Sequence, residues 1–213
     1  EARARALVKA GATSIAIVFL HAYANPRHER EAARLIAKRH RGVAVTTSHE
    51  VAPEIREFER ASTTVANAYI KPLAHRYLEL MARRVAEQGI SAPLLLMLSS
   101  GGLTHVAEAQ RAPVQMLESG PAAGAIAAAF FGREDSGGSS LRSGDLSGST
   151  RLASGSGSPG ILAFDMGGTT AKLSLVDGGE PLTAYSFEAA RQRRFIEGSG
   201  LPIRISSIEL IEI

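Results

Sequence analysis

Two adjacent glycines set between two apolar stretches constrain this chain more than any other feature. Ile161-Leu-Ala-Phe164 reads as one strand and Lys172–Val176 as a second, with Asp165-Met-Gly-Gly-Thr-Thr170 as the tight turn between them. Glycines at 167 and 168 let the backbone approach an anion with no Cβ in the way, and they permit positive φ. Successive N–H groups in such a turn can converge on one phosphate, and Thr169 and Thr170 add hydroxyl donors. Asp165 ends the first strand, where a carboxylate is suited to hold Mg²⁺ through water, since that ion keeps much of its hydration shell. The pattern is neither a P-loop, which needs Gly-Lys-Ser/Thr before a helix, nor a dinucleotide fingerprint, which also opens a helix. A plain β-hairpin whose Asp and Gly only satisfy turn geometry is the competing reading of these six residues.

Upstream, Ile15–Leu20 is a short continuous apolar run of the kind a buried strand needs. Asn25-Pro26 then caps a helix running to about Arg41, and Gly42 ends it before the β-branched stretch Val43–Thr47. Strand, helix, strand predicts a βαβ unit. Residues 54–88 read as helix interrupted near Pro72, with Leu73, Tyr77, Leu80 and Val85 at the spacing of an apolar face and Gly89 as the stop. Leu94–Leu98 is a strand entering the turn Ser99-Ser100-Gly101-Gly102. Ser119-Gly-Pro121 opens an alanine-rich helix to about Phe131.

Between 133 and 160, sixteen of 28 residues are Ser or Gly and no hydrophobic period survives, which predicts a flexible linker or insertion. The expected organisation is therefore an α/β segment over 1–132, the linker over 133–160, and a β-rich subdomain beginning at 161 and truncated at 213. Glu1–Ala10 reads as the middle of a helix, and Ile211-Glu-Ile213 as an unfinished strand, so a fragment of a longer polypeptide is expected. With no cysteine, disulfides and thiolate chemistry are excluded, and a cytoplasmic protein is expected. No apolar run approaches a membrane span. The net charge of +3 is dispersed, with no Trp and no basic block interleaved with aromatics, which argues against nucleic acid as a partner.

Several ordered motifs together resemble the hydantoinase A / 5-oxoprolinase family. They are Ser48-His-Glu-Val-Ala-Pro-Glu54, Glu57-Phe-Glu-Arg-Ala-Ser-Thr-Thr64, Asn67-Ala-Tyr69, Ser100-Gly-Gly-Leu103, Ser119-Gly-Pro-Ala-Ala-Gly124 and Phe164-Asp-Met-Gly-Gly-Thr-Thr170. The resemblance implies an α/β fold, part of an actin/sugar-kinase-like (ribonuclease H-like) nucleotide-binding fold. It implies an ATP-dependent hydrolase that opens a cyclic amide such as a hydantoin, 5-oxoproline or another lactam through a phosphorylated carbonyl. The implied cofactors are ATP and Mg²⁺, with a further divalent metal left open. The implied partners are the cyclic amide, a second subunit of the hydantoinase B type, and further copies in an oligomer. Carried over by motif, Asp165 serves the metal while Gly167, Gly168, Thr169 and Thr170 hold phosphates. A noncatalytic nucleotide-binding scaffold and an ATP-dependent ketone carboxylase subunit are the alternatives. Lys172 stands where many relatives carry Asp, and a second Asp-x-Gly-Gly-Thr hairpin is absent from this sequence. The isolated fragment is therefore expected to be inactive.

Weaker candidates complete the set. His21 lies beyond the first strand, a typical ligand location, although a hydrogen-bonded strand-end histidine is the favoured reading; His28 and Glu29 read as a solvated helix pair. Gly101 and Gly102 could line a substrate cleft or simply turn the chain, and Ser119 and Gly120 could offer a helix N-terminus to an anion or merely cap it. Glu54, Glu57 and Glu59 with Arg56 and Arg60 read as a charged helix face. No general base or nucleophile is assigned.

Overall fold

The computed structural model describes residues 1–134, 149–153, 159–168, 170–193, 196 and 198–212. In chain order the elements are α1 (Ala2–Lys9), β1 (Ser14–Ile17), α2 (Arg27–Arg39), β2 (Ala44–Thr47), α3 (Ser48–Val51), α4 (Glu57–Glu87), β3 (Leu95–Met97), β4 (Leu103–His105), α5 (Val106–Arg111), α6 (Ser119–Glu134), β5 (Ser149–Ala153), β6 (Pro159–Met166), β7 (Ala171–Asp177), β8 (Glu180–Pro181), β9 (Thr183–Ala184), β10 (Phe187–Ala189), β11 (Leu201–Ile203), β12 (Ser207–Ile208) and β13 (Ile211–Glu212). They form two compact units. The first comprises 1–96, 104–114 and 186–205, and the second 97–103, 115–185 and 206–213. The units are thus interleaved along the chain rather than following the linear division at 133 and 161. Hydrophobic periodicity reports neighbours within one element and carries no signal of which distant strand completes a core.

In the first unit, β1 and β2 pair in parallel with Ser14 opposite Ala44 and Ile17 opposite Thr47. The expected βαβ unit is therefore present, with α2 as its crossover. Asn25 starts α2 through its side chain, whose Oδ1 accepts the Arg27 N–H at 3.2 Å. Ala4, Ile15 and Ile17 form a core closed by Val8, Ile36, Val43 and Val45. A second core joins Val51 and Val114 to Ile203 and Ile205, residues far apart in sequence.

Helix α4 departs from expectation twice. It runs 31 residues without interruption and contains Pro72. Proline removes one backbone donor and crowds the preceding turn, at a cost of about 3 kcal/mol or more in a helix interior. Anchors just before it offset that cost. Lys71 Nζ donates to the Val45 carbonyl at 3.0 Å, Asn67 Nδ2 to the Arg111 carbonyl at 3.2 Å, and the Val114 N–H to Asn67 Oδ1 at 3.1 Å. The helix is also inverted in polarity. Its buried stripe is Arg60, Thr63, Thr64, Asn67, Ala68 and Leu78, whereas Val65, Tyr69, Leu73 and Tyr77, each four residues from the next, are exposed. The apolar spacing at Leu73 and Tyr77 therefore marks an outer face, because polar side chains claim the inner one through specific hydrogen bonds.

In the second unit the antiparallel sheet runs β13-β7-β6-β5, and β8 also pairs with β7. Strand β5 lies within the Ser/Gly-rich stretch, and α6 extends into that stretch as far as Glu134. The rest of the predicted linker, 135–148 and 154–158, lies outside the described residues. Ile161, Ala163, Ser174 and Val176 alternate along β6 and β7 onto one buried face. Helix α6 covers that face. Ala129 packs with Ile161 and Val176, and a Cβ at Gly132 would press on the terminal methyl of Ile161, so glycine lets the helix approach without that side chain shifting. Full burial of Ile161 and Val176 contributes about 1.5–3 kcal/mol each. Toward its N-terminus α6 packs Ala122 and Ala125 on Ile208 of β12.

Candidate functional site

The hairpin β6–β7 is in register through Met166↔Ala171 and Asp165↔Lys172. Beyond those pairs the Gly167 N–H donates to the Thr170 carbonyl at 3.0 Å. The Gly167 amide is therefore engaged within the hairpin. Thr169 lies outside the described residues, and Thr170 is half-buried. Neither Gly167 nor Gly168 has a positive φ, so turn strain does not explain the glycine pair. A Cβ at Gly168 would meet nothing within 4 Å, so this backbone is open to approach from outside.

Strand alternation puts Asp165 and Lys172 on the same face as Ile161, Ala163, Ser174 and Val176, the face that α6 covers. The position of a Cβ on Gly124 of α6 lies 4.0 Å from Asp165 Cβ. Gly124 sits one turn beyond the helix start, so Asp165, the hairpin mouth and the first turns of α6 come together. The Lys172 ammonium is ion-paired with Glu118, the residue before α6. Asp165 is exposed, and among the described residues it has no ion-pair partner. The donor chemistry suits a nucleotide. First-turn amides of a sixteen-residue helix favour negative charge, the open backbone at Gly168 admits phosphate oxygens, and an uncommitted carboxylate beside them can take a hydrated divalent cation. Among the described residues no cluster of three His, Asp or Glu could cage a metal alone.

The weaker candidates divide. Ser119 and Gly120 form the first turn of α6 and belong to this cluster; a Cβ at Gly120 would also meet open space. Gly101 is structural. It has φ +86°, its N–H closes a turn onto the Leu98 carbonyl at 2.9 Å, and a Cβ there would lie 2.6 Å from Ile126 Cδ1. The Gly102 carbonyl accepts the Leu98 N–H at 2.8 Å in the same turn. Ser99 at the head of that turn is fully buried and its Oγ accepts the Glu118 N–H at 3.1 Å. Glu118 is not singled out by the sequence; its only signal there is an acidic residue placed directly before a helix opening.

His21 belongs to the first unit, four residues beyond the end of β1. It is exposed with φ +57°, and its carbonyl accepts the N–H groups of Ala24 and Asn25 at 3.0 Å each. Its Nδ1 lies 3.5 Å from Tyr23 Oη. His28 is exposed as expected, but Glu29 is not solvated. It is fully buried and accepts four hydrogen bonds, from Phe19 N–H (2.8 Å), Ser48 Oγ (2.6 Å), His49 N–H (3.0 Å) and His49 Nδ1 (2.9 Å). Burial pushes its carboxyl pKa upward, but the bonds from Ser48, His49 and Phe19 outweigh it and hold the group below the usual glutamate value. Arg60 is likewise buried rather than part of a solvated face. It donates to the Glu54 carbonyl at 2.8 Å and the Phe19 carbonyl at 2.9 Å, and its guanidinium lies 5.4 Å from the Tyr23 ring centroid. Glu29 and Arg60 thus grip the two backbone polar groups of Phe19 from opposite signs of charge, fixing the loop that carries His21.

A family described as Hydantoinase/oxoprolinase matches residues 60–141, and its N-terminal region matches residues 1–40. An uncharacterized protein of Methanocaldococcus jannaschii is 38% identical over 202 residues, 93% of this chain and 27% of that protein. The caprolactamase subunit alpha of Pseudomonas jessenii is 32% identical over 170 residues, 78% of this chain and 21% of the subunit. The chain thus spans roughly a quarter of the length of these relatives. The solved structure of the ATP-dependent caprolactamase from Pseudomonas jessenii superposes with a TM-score of 0.69 at 26% identity, over all of this chain and 27% of the other. A nucleotide-free acetone carboxylase structure gives 0.73 at 21% identity, covering 99% of this chain and 26% of the other, and so shares the fold. The α/β architecture is the one expected of an actin-like nucleotide-binding fold, and the chain belongs to the hydantoinase/oxoprolinase family.

Proposed function

We propose that the second unit holds the phosphates and metal of ATP, and that the protein uses ATP to open a cyclic amide. The observation that carries this reading is the meeting of the open backbone at Gly168, an Asp165 that has no ion-pair partner among the described residues, and the N-terminus of α6. In this reading the Gly168 backbone and the Thr169 and Thr170 hydroxyls contact phosphate oxygens. Asp165 would hold Mg²⁺ through water, and that ion when bound would supply charge neutralisation to the phosphates. A lactam is a poor electrophile. Transfer of the γ-phosphoryl group to its carbonyl oxygen forms one P–O bond, breaks the bond to the β-phosphate and releases ADP. Water then adds at the activated carbon, and the adduct breaks its ring C–N bond, the nitrogen leaving protonated as an amine and the carbon remaining as an acyl phosphate, which a second water hydrolyses to carboxylate and phosphate. The chain's own residues contribute electrostatic positioning of that transfer. A cyclic amide is preferred as substrate because the caprolactamase subunit alpha is 32% identical. A cytoplasmic oligomer that includes a second subunit of the hydantoinase B type completes the reading, with Gly102, Ser119 and Gly120 as further contacts in the second unit.

ATP turnover by the full-length protein should rise with one member of a panel of hydantoins, 5-oxoproline and caprolactam. Asp165→Ala should lower that turnover by about 100-fold or more. Turnover unchanged in Asp165→Ala would remove the metal role. Ketone carboxylation is the rival, since acetone carboxylase shares the fold; turnover rising only with acetone and bicarbonate would select it. ATP binding without turnover on any substrate would make the chain a nucleotide-binding scaffold.

A further inference from the structure

The ion pair between Lys172 and Glu118 has a consequence for Asp165. In an antiparallel pair, directly opposite side chains stand about 4.5–5.5 Å apart at Cβ, within easy reach of a lysine. Asp165 and Lys172 are such a pair, on the same face of the hairpin. Left alone, the ammonium would settle on the Asp165 carboxylate and compete with any cation that needs it. The structure shows the ammonium elsewhere, on Glu118, with the two side chains only 17% and 23% exposed. Glu118 is itself rigidly presented. Its N–H is bound by the Oγ of the buried Ser99 at 3.1 Å and its carbonyl accepts the Ala122 N–H at 3.1 Å. Ser99 is in turn fixed by its N–H to the Gln115 carbonyl at 2.7 Å and its carbonyl to the Ile208 N–H at 2.8 Å.

We propose that Glu118 is a positioning residue that keeps the Lys172 ammonium off Asp165, so that Asp165 stays open to the hydrated divalent cation that accompanies the nucleotide. The inference rests on the reading of the hairpin as a phosphate and metal site. It assigns Lys172 a fixed partner and makes the two charges at 118 and 172 act together.

The test is equilibrium binding of ATP to the full-length protein by calorimetry, with the Mg²⁺ concentration varied and no lactam present. Glu118→Gln should raise the Mg²⁺ midpoint about tenfold, as the released ammonium claims Asp165, and saturating Mg²⁺ should recover binding. Adding Lys172→Met to Glu118→Gln should return the midpoint to within about twofold of the starting protein, and Lys172→Met alone should leave it there. A purely structural tie predicts the opposite: both single variants impaired alike, no recovery in the double variant, and no rescue by Mg²⁺. Either that pattern or an unchanged midpoint in Glu118→Gln overturns the proposal. Asp165→Asn separates the layers. If it binds ATP with the original Mg²⁺ dependence, the hairpin reading itself fails. If it loses that dependence while Glu118→Gln is silent, only the role of Glu118 fails.

Discussion

Glu29 and Asp165 are carboxylates in opposite circumstances. Glu29 is fully buried and saturated by four donors from three residues, while Asp165 is exposed and has no ion-pair partner among the described residues. A buried charge is tolerated only when its partners replace the water it lost, and a charge so replaced has nothing left to offer a ligand. A rim carboxylate next to an open backbone loop has kept its coordination capacity. Within one chain, the acid that most resembles a catalytic group by burial is thus the one holding a loop in place.

The contrast breaks if the two acids respond alike to removal. Glu29→Ala leaves the Ser48, His49 and Phe19 donors unmatched and should cost about 3–5 kcal/mol in urea unfolding. Asp165→Ala should lower ATP turnover by about 100-fold while moving the unfolding free energy by less than about 0.5 kcal/mol. Two glycines sharpen the same division. Gly101→Ala combines a left-handed φ with a collision on Ile126 and should cost about 1–3 kcal/mol, read from the thermal midpoint. Gly168→Ala should change stability by less than about 0.5 kcal/mol yet weaken ATP binding several-fold in calorimetry. The smallest effect concerns acid. Glu29 has a lowered folded pKa, so its contribution is present above the usual glutamate range and disappears as pH falls through the folded value. Glu29→Gln should flatten the fall in unfolding free energy across that acidic window, and an unaltered slope would show that other carboxylates carry it.

What the sequence made legible was local and periodic. The β1–α2–β2 crossover, the β6–β7 strands and the start of α6 all follow from short-range apolar patterns and turn residues. The burial of Glu29 and Arg60 did not, because their partners are backbone groups of Phe19 and Glu54 and side chains of other elements. Nothing in a helix turn reading His-Glu-Arg separates a solvated acid from a clamped one. The α4 faces were misread for a related reason: Arg60, Thr63 and Asn67 look like an outer face until Arg60 is seen to donate to the Phe19 and Glu54 carbonyls, Asn67 to the Arg111 carbonyl, and Thr63 Oγ1 to accept the Arg204 N–H. At the candidate site Asp165 and the glycines were visible as a motif, while Glu118 required the fold to bring it to Lys172.

The interleaving of the two units also sets an order on biosynthesis. Ile203 and Ile205 complete the core around Val51 and Val114, and the Arg204 N–H reaches Thr63 Oγ1 at 2.8 Å across 141 residues. Closing so long a loop costs entropy before its contacts return anything. A nascent chain emerging from the ribosome can form β1–α2–β2 early. It must translate residues 97–103 and 115–185 of the second unit before the first can shut, so until then Val51 and Val114 are surfaces a chaperone could read.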